Sequence, residues 1–307
     1  MQHRVVVIGA GIMGARICKH ILRSGHPVAL IDPSKEALEN AEKTIGNPRE
    51  ALTTHTKIDA LPDLWRAAMM VIEVVPEVLS LKHQVIADSE AFFDDSTLIA
   101  SNTSGLPTAE LTKNMRCPER FVITHFFNPA DLIPAVELVP GPKTSEAVVA
   151  KTAAFLQSTG KKVARLRADV PGFIANRLQH ALMRECFHLM ATGVADAEAI
   201  DLVTRYALGV RLAMIGPLLQ RDLNGLDTHL NIARYLYADL DARDTPPETL
   251  ARMVAAGDIG RKSGQGFYTW DAEQQTKMEQ IERLLPELIA LAAQVDANEG
   301  ELRCQNG

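Results

Sequence analysis

The run Val5-Val6-Val7-Ile8 passes directly into Gly9-Ala10-Gly11-Ile12-Met13-Gly14, and no other stretch constrains the fold as tightly. Four apolar, mostly β-branched residues predict a buried strand. Ala15–Arg23 has helical spacing, and Ser24-Gly25 stops it. Pro27–Ile31 then predicts a second strand, which ends at Asp32. A GxGxxG between strand and helix is the phosphate-binding turn of dinucleotide folds. Gly9 permits the tight turn, Gly11 lets backbone approach a pyrophosphate, and Gly14 lets helix and strand pack closely. Ile12 and Met13 open the helix, whose free N–H groups face the phosphates. Asp32 follows Gly9 by little more than the ~20 residues expected of the acid that binds a ribose 2′-hydroxyl. No arginine adjoins it, so a 2′-phosphate would meet negative charge, and NAD is expected rather than NADP.

The pattern continues. Lys35–Ile45 reads as a helix ended by Gly46-Asn47-Pro48, Met69–Val75 as a strand, Leu79–Phe92 as a helix and Thr97–Ala100 as a strand. Ser145–Ser158 reads as a further helix and Lys162–Leu166 as a last strand. Strands alternating with helices predict an α/β fold, a Rossmann-type doubly wound, mostly parallel sheet. Asp169-Val170-Pro171-Gly172 marks the expected boundary, giving a dinucleotide-binding domain over 1–170 and a second domain over 171–307. A long helix over Phe173–Met190, then Ala197–Ala207, Leu218–Leu240 and Glu248–Ala255, make that second domain all-α, with fraying expected only after Asn298. Met183, Phe187 and Met190 fit core or subunit-contact positions.

Composition narrows the partners. A chain of 307 residues is long enough for two domains with separate cores. Its net charge of −6 argues against nucleic acid, whose backbone calls for a basic surface. Cys18, Cys117, Cys186 and Cys304 are scattered and form no CxxC pair, which points to reduced thiols in the cytoplasm and to no metal site. No run reaches the roughly 18 apolar residues of a membrane span, and the glycine-broken N-terminus is no signal peptide.

The chemistry is expected in Phe121–Pro140. Phe121–Thr124 and Ala135–Val139 read as strands, broken apart by Asn128-Pro129 and Pro134. If they turn back on each other, His125 and Glu137 can meet, and an imidazole held by a carboxylate is a general base. The alternative is a core histidine beside an unrelated glutamate. Ligands of doubly wound sheets sit beyond the carboxyl ends of the strands. Gly9, Asp32, Pro76-Glu77, Ser104 and His125 all fall at such ends, although a serine like Ser104 also serves as a helix cap or turn hydroxyl.

GAGIMG, Asp32, EVVPE, SNTSGL, HFFNP…VELV, VPGFIANRL and RKSGQGFY, in that order, resemble the 3-hydroxyacyl-CoA dehydrogenase family over nearly the whole chain. The resemblance implies His125 as catalytic base, Glu137 as its orienting partner, and Ser104 and Asn176 on the substrate oxygen. It also implies Glu77 and Lys82 near the cofactor, and a homodimer paired through the helical domain. Two departures bear on the substrate. The segment from Asp32 to Val71 is too short for the full lysine-bearing arm that contacts CoA, and Ala207–Pro217 is longer than its counterpart and carries Arg211. The Ala207–Pro217 stretch, with DLIPAVELVPGPKTS and NRLQ, is more similar to the branch acting on free acids, which includes the L-gulonate 3-dehydrogenase (lambda-crystallin), carnitine dehydrogenase and pyridine-carboxylate dehydrogenase relatives. A buried arginine is a natural bidentate partner for a carboxylate; Arg211 or Arg205 on a solvated helix face is the alternative. The expected activity is NAD-dependent oxidation of a secondary hydroxyl β to a carboxyl group. A 3-hydroxyacyl-CoA thioester as substrate, and an idle NAD-binding structural or sensor protein, are the other readings.

Overall fold

The computed structural model describes residues 2–46 and 51–305; Asn47 and Pro48, expected to end a helix, lie outside them. The chain divides into two compact units, Met1–Arg177 and Leu178–Gly307.

The first unit is built on β1 (Val5–Ile8), α1 (Ile12–Arg23), β2 (Val28–Ile31), α2 (Lys35–Ile45), β3 (Leu52–His55), β4 (Met70–Glu73), α3 (Leu79–Phe92), β5 (Leu98–Ser101), α4 (Thr108–Leu111), β6 (Phe121–Phe126), β7 (Ala135–Pro140), α5 (Glu146–Ser158) and β8 (Lys162–Arg165). These strands form one sheet in the order β3-β2-β1-β4-β5-β6-β7-β8. Every neighbouring pair is parallel except β6 and β7, which are antiparallel. The continuous apolar runs exist because successive side chains feed opposite faces, both covered. Val5, Val7, Leu30, Met70 and Ile72 pack with Ile17, Ile21 and Leu156 on one face. Val6, Ile8, Ile31, Val71 and Ile99 pack with Trp65, Ile86 and Phe93 on the other. The antiparallel turn sets His125 of β6 opposite Glu137 of β7 in register.

The second unit takes over within α6 (Ala175–Ala191) and continues through α7 (Ala197–Val203), α8 (Val210–Met214), α9 (Pro217–Asn224), α10 (Leu226–Leu236), α11 (Glu248–Ala256) and α12 (Ala272–Gln305). The helix expected over Leu218–Leu240 is two helices, because Gly225 at φ 87° breaks it. The helix expected over Ala197–Ala207 leaves α geometry at Val203 and passes through a π-helical turn, Thr204–Gly209, into α8. The fraying expected after Asn298 concerns side chains, and from 306 a backbone, outside the described residues. RKSGQGFY lies in a loop closed by isolated bridges from Gln265 to Gly260 and Thr269. Tyr268 of that loop donates its hydroxyl to Asp201 at 2.7 Å.

Candidate active site

The glycine turn is shaped for a ligand. A Cβ added at Gly9 (φ 112°) would come within 2.7 Å of the Val74 carbonyl oxygen, and one at Gly14 within 1.8 Å of the Gly9 oxygen. A Cβ at Gly11 would meet no protein atom within 4 Å, although Gly11 lines a cavity of about 1170 Å³. Gly11 is also the N-cap of α1 and offers no side chain to the first-turn amides. Open space beside uncapped N–H groups at the positive end of a helix is an anion site. Asp32 lines the same cavity; its carboxylate accepts from Ala10 N at 2.8 Å and Ser34 N at 2.9 Å, tying the turn to the end of β2. Each carboxylate oxygen has a further lone pair to accept from a ribose hydroxyl. Residues and space fit NAD.

Met13, Val74 and Val75 also line a second cavity of about 440 Å³, completed by Glu77, Asn102, Ser104, His125, Phe126, Phe127, Asn128 and Asn176. Here the expected catalytic residues come together. Nδ1 of the buried His125 lies 2.8 Å from Oε2 of the buried Glu137. With an ionised partner, Nδ1 carries the proton and Nε2 is the basic nitrogen. Glu137 Oε1 accepts from the backbone amides of Ile174 and Ala175 at 2.8 and 2.9 Å, so both oxygens of the carboxylate are held. Asn176, in the first turn of α6, donates through Nδ2 to the Ser104 carbonyl at 3.1 Å. That bond sets Ser104 and Asn176 side by side on the cavity wall.

Glu77 and Lys82 have different surroundings. Glu77 is partly exposed on the cavity, accepting from the Ser104 amide at 3.1 Å and from the Thr103 hydroxyl. Partial burial pushes its carboxyl upward in pKa, but the Thr103 hydroxyl, the Lys82 ammonium and the Ser104 amide outweigh burial and hold it below the usual carboxylate range. It is therefore an anion at neutral pH. Lys82 lines neither cavity: it is 1% exposed, and its ammonium donates to both Glu73 oxygens at 2.9 and 3.0 Å and lies 3.2 Å from Glu77. Its link to the cavity lining runs through Glu77. Glu73, at the end of β4, also accepts from the Ser101 hydroxyl. Arg211 belongs to the helical unit, where its exposed guanidinium donates through Nε to the Ala207 carbonyl at 2.6 Å.

Four residues of the site had no individual role in the sequence reading: Glu73, the first residue of EVVPE, sat inside an apolar strand pattern that hid its charge, and Asn102 of SNTSGL and Phe127 and Asn128 of HFFNP were read only as parts of their motifs. Asn102 accepts from Phe126 N at 2.9 Å and so links the ends of β5 and β6. Among the described residues no cluster of three or more His, Cys, Asp or Glu side chains could hold a metal ion.

Comparison with known proteins agrees with this geometry. The profile of the 3-hydroxyacyl-CoA dehydrogenase NAD binding domain matches residues 4–170, and that of the 3-hydroxyacyl-CoA dehydrogenase C-terminal domain matches 172–270. The 5-formyl-3-hydroxy-2-methylpyridine 4-carboxylate 5-dehydrogenase of Mesorhizobium japonicum is 33% identical over 295 residues, covering 92% of this chain and 95% of its own. A crystal structure of an enzyme of that name, described as an NAD+-dependent dismutase, matches with a TM-score of 0.88 at 32% identity, covering 96% of this chain and 99% of that one. The L-carnitine dehydrogenase of Streptomyces coelicolor is 39% identical over 72% of this chain and 73% of its own. A probable 3-hydroxybutyryl-CoA dehydrogenase of Bacillus subtilis is 33% identical over 89% of this chain and 98% of its own. With a dinucleotide groove, a buried imidazole–carboxylate pair and both domain profiles in sequence, the chain belongs to the 3-hydroxyacyl-CoA dehydrogenase family and is an NAD-dependent dehydrogenase acting on CH–OH groups.

Proposed function

We propose that the chain oxidises the secondary hydroxyl of a free hydroxy acid, at the carbon β to the carboxylate, with His125 as general base. The observation that carries this reading is the buried His125–Glu137 contact at 2.8 Å on the wall of the smaller cavity. His125 Nε2 takes the hydroxyl proton as the carbinol C–H bond breaks and the carbonyl forms. Gly9, Gly11, Gly14 and Asp32 would hold NAD, which would supply the hydride acceptor. Glu137 stabilises the resulting imidazolium, and Ser104 and Asn176 hold the reacting oxygen. Glu77, an anion tied to Thr103, Ser104 and Lys82, keeps the loop after β5 in place. General-base catalysis is worth roughly 10²–10⁴-fold, so alignment of cofactor and substrate supplies much of the remaining acceleration.

The free acid is favoured over the thioester on two grounds. The relatives named for carnitine and for a pyridine carboxylate act on acids not carried on CoA, and the segment between Asp32 and Val71 is too short for a full CoA arm. Among the described residues no lysine or arginine lines the smaller cavity, so the counter-charge for a substrate carboxylate is assigned to a residue outside that lining. Arg211 is our assignment for it. The thioester reading has its own support in the relative named for 3-hydroxybutyryl-CoA. An idle structural or sensor role is disfavoured by the intact set of Ser104, His125, Glu137 and Asn176.

We further assign a homodimer paired through the helical unit, supported by the apolar side chains that unit leaves exposed, and a cytoplasmic location, supported by the free thiols of Cys18, Cys117 and Cys186. The deciding experiment is a panel of free 3-hydroxy acids against 3-hydroxyacyl-CoA thioesters, followed by NADH absorbance. Free acids should turn over with the higher kcat/KM. Efficient turnover of 3-hydroxybutyryl-CoA with none on any free acid reverses the assignment.

A further inference from the structure

Phe173 is the one non-glycine residue among those described whose φ is positive, at 49°, and it is 1% exposed. A left-handed backbone is costly for a bulky side chain, and such residues persist where their surroundings hold them, commonly at functional sites. The residue before it, Gly172, takes the same region at φ 78° without cost. Two consequences of the turn converge on the catalytic pair. The chain beyond it aims two successive amides, of Ile174 and Ala175, at the single oxygen Oε1 of Glu137, at 2.8 and 2.9 Å. Successive N–H groups beside a left-handed residue form a concave nest that holds an anion. The ring of Phe173 meanwhile lies edge-on to the His125 imidazole at 5.5 Å, and Phe127 makes a second edge contact at 4.7 Å. Glycine would make this turn more cheaply, yet would leave the imidazole without one of its two aromatic contacts.

We propose that Phe173 is a positioning residue for the His125–Glu137 pair: its left-handed turn builds the amide nest that fixes Glu137, and its ring fixes the plane of the imidazole. The inference rests on His125 being the base. Oε1 bound in the nest leaves Oε2 directed at Nδ1, and the ring restricts rotation of His125 away from it. Both effects keep Nε2 presented to the cavity.

The test compares Phe173→Leu with Phe173→Ile, isomers equal in apolar bulk that differ in branching at Cβ, which a positive φ tolerates poorly. The readouts are kcat, the KM for NAD, and the downfield proton resonance of the hydrogen-bonded His125 Nδ1–H. The leucine variant, lacking only the ring, should keep the resonance and lose about tenfold in kcat. The isoleucine variant should lose the resonance and about 100-fold in kcat, the scale of a misplaced catalytic group. KM for NAD should stay within about twofold in both, since the cofactor groove is built from other residues. If the isoleucine variant does not fold, Phe173→Gly, which takes the turn freely, should keep the resonance while kcat falls about tenfold. Wild-type kcat in these variants, a resonance lost equally from all of them, or an effect confined to KM for NAD overturns the proposal. His125→Gln separates the two ideas. Full turnover in that variant removes the base reading, whereas the resonance pattern across the Phe173 variants still decides the positioning role.

Discussion

Leu30, Met70, Ile72 and Phe121 of the sheet unit are shut off from solvent, whereas Leu218, Leu223, Leu226 and Leu230 of the helical unit stand 81, 68, 63 and 55% exposed. Phe187, still 8% exposed, is the single buried apolar residue of the helical unit among those described. The sheet has two faces, each roofed by helices, and it closes its own core. The helices of the second unit leave these apolar side chains uncovered, which supports the proposed dimer. Charge divides in the same way. The sheet unit buries Glu73 against Lys82, Glu137 against His125, and Lys161 against the Ala130 and Ile133 carbonyls. The unit that seals itself carries the groups to which the proposed chemistry is assigned, and the unit that does not is the one to which the proposed dimer is assigned.

The comparison breaks first at the base. His125→Gln should lower kcat by about 10²–10⁴-fold while NADH still binds, as read by its fluorescence, because proton transfer alone is removed. Glu137→Gln should also be severe, since the imidazolium loses its counter-charge and the amides of Ile174 and Ala175 lose an anion. Wild-type turnover in His125→Gln would move the chemistry out of the sheet unit.

Assembly is the next largest effect. Leu223→Asp combined with Leu230→Asp places two charges on exposed apolar helices, and sedimentation should show the dimer dissociation constant raised at least ~100-fold, about 2.7 kcal/mol. The sheet unit should keep its affinity for NADH. A protein that sediments as a monomer before any substitution would refute the division of roles.

Much of this was legible in the sequence, and unevenly so. The strands carrying Gly9, Asp32, Glu77, Ser104 and His125 are buried on both faces, and a continuous apolar run between turn residues needs no context to be read. Strand β3, Leu-Thr-Thr-His, has only one neighbouring strand and is half exposed, so it carried no such run and was missed. Lys82 could be placed near the cofactor by resemblance, but its inward turn depends on Glu73, to which the EVVPE motif assigned no role. In the helical unit the periodicity gave the class but not the breaks. Gly225 splits one expected helix, and α12, whose apolar residues do not gather on one side and which holds Pro286, was not foreseen. A helix without a single-sided apolar stripe gives periodicity nothing to read.

The substrate carboxylate offers a smaller effect. Arg211→Met should raise KM for a free hydroxy acid by roughly 10–150-fold, the worth of a charge-assisted hydrogen bond of ~1.5–3 kcal/mol, and barely change a thioester. Asp32→Ala should narrow the preference for NAD over NADP by about tenfold, as the charge facing a 2′-phosphate goes. It should also weaken NAD itself, because the carboxylate that holds Ala10 N is lost. Equal kcat/KM for the two cofactors in the wild type would remove Asp32 from that role.

The smallest effect concerns stability, and it is expected to lie wholly in the sheet unit. His20 of α1 holds Thr159 Oγ1 at 3.0 Å, and burial, reinforced by the positive charges of Lys161 and Arg23 against the weaker opposite pull of Asp131, lowers its pKa to about 4. The unfolded chain takes up a proton near pH 6.5 while the folded chain does not until about 4. Stability from this group is therefore complete above pH 6.5 and is lost as pH falls toward 4. Between pH 7.5 and 5.5 the loss is about 1 kcal/mol. His20→Gln can keep the bond to Thr159 without titrating, so urea midpoints at the two pH values should draw closer together in the variant by that amount. His26 and His55, whose imidazoles burial also pushes downward, titrate equally in both proteins and cancel in the difference. Equal losses in wild type and variant would show that His20 is solvated in the folded chain, and that the packing of α1 against the end of α5 is looser than the rest of the sheet unit.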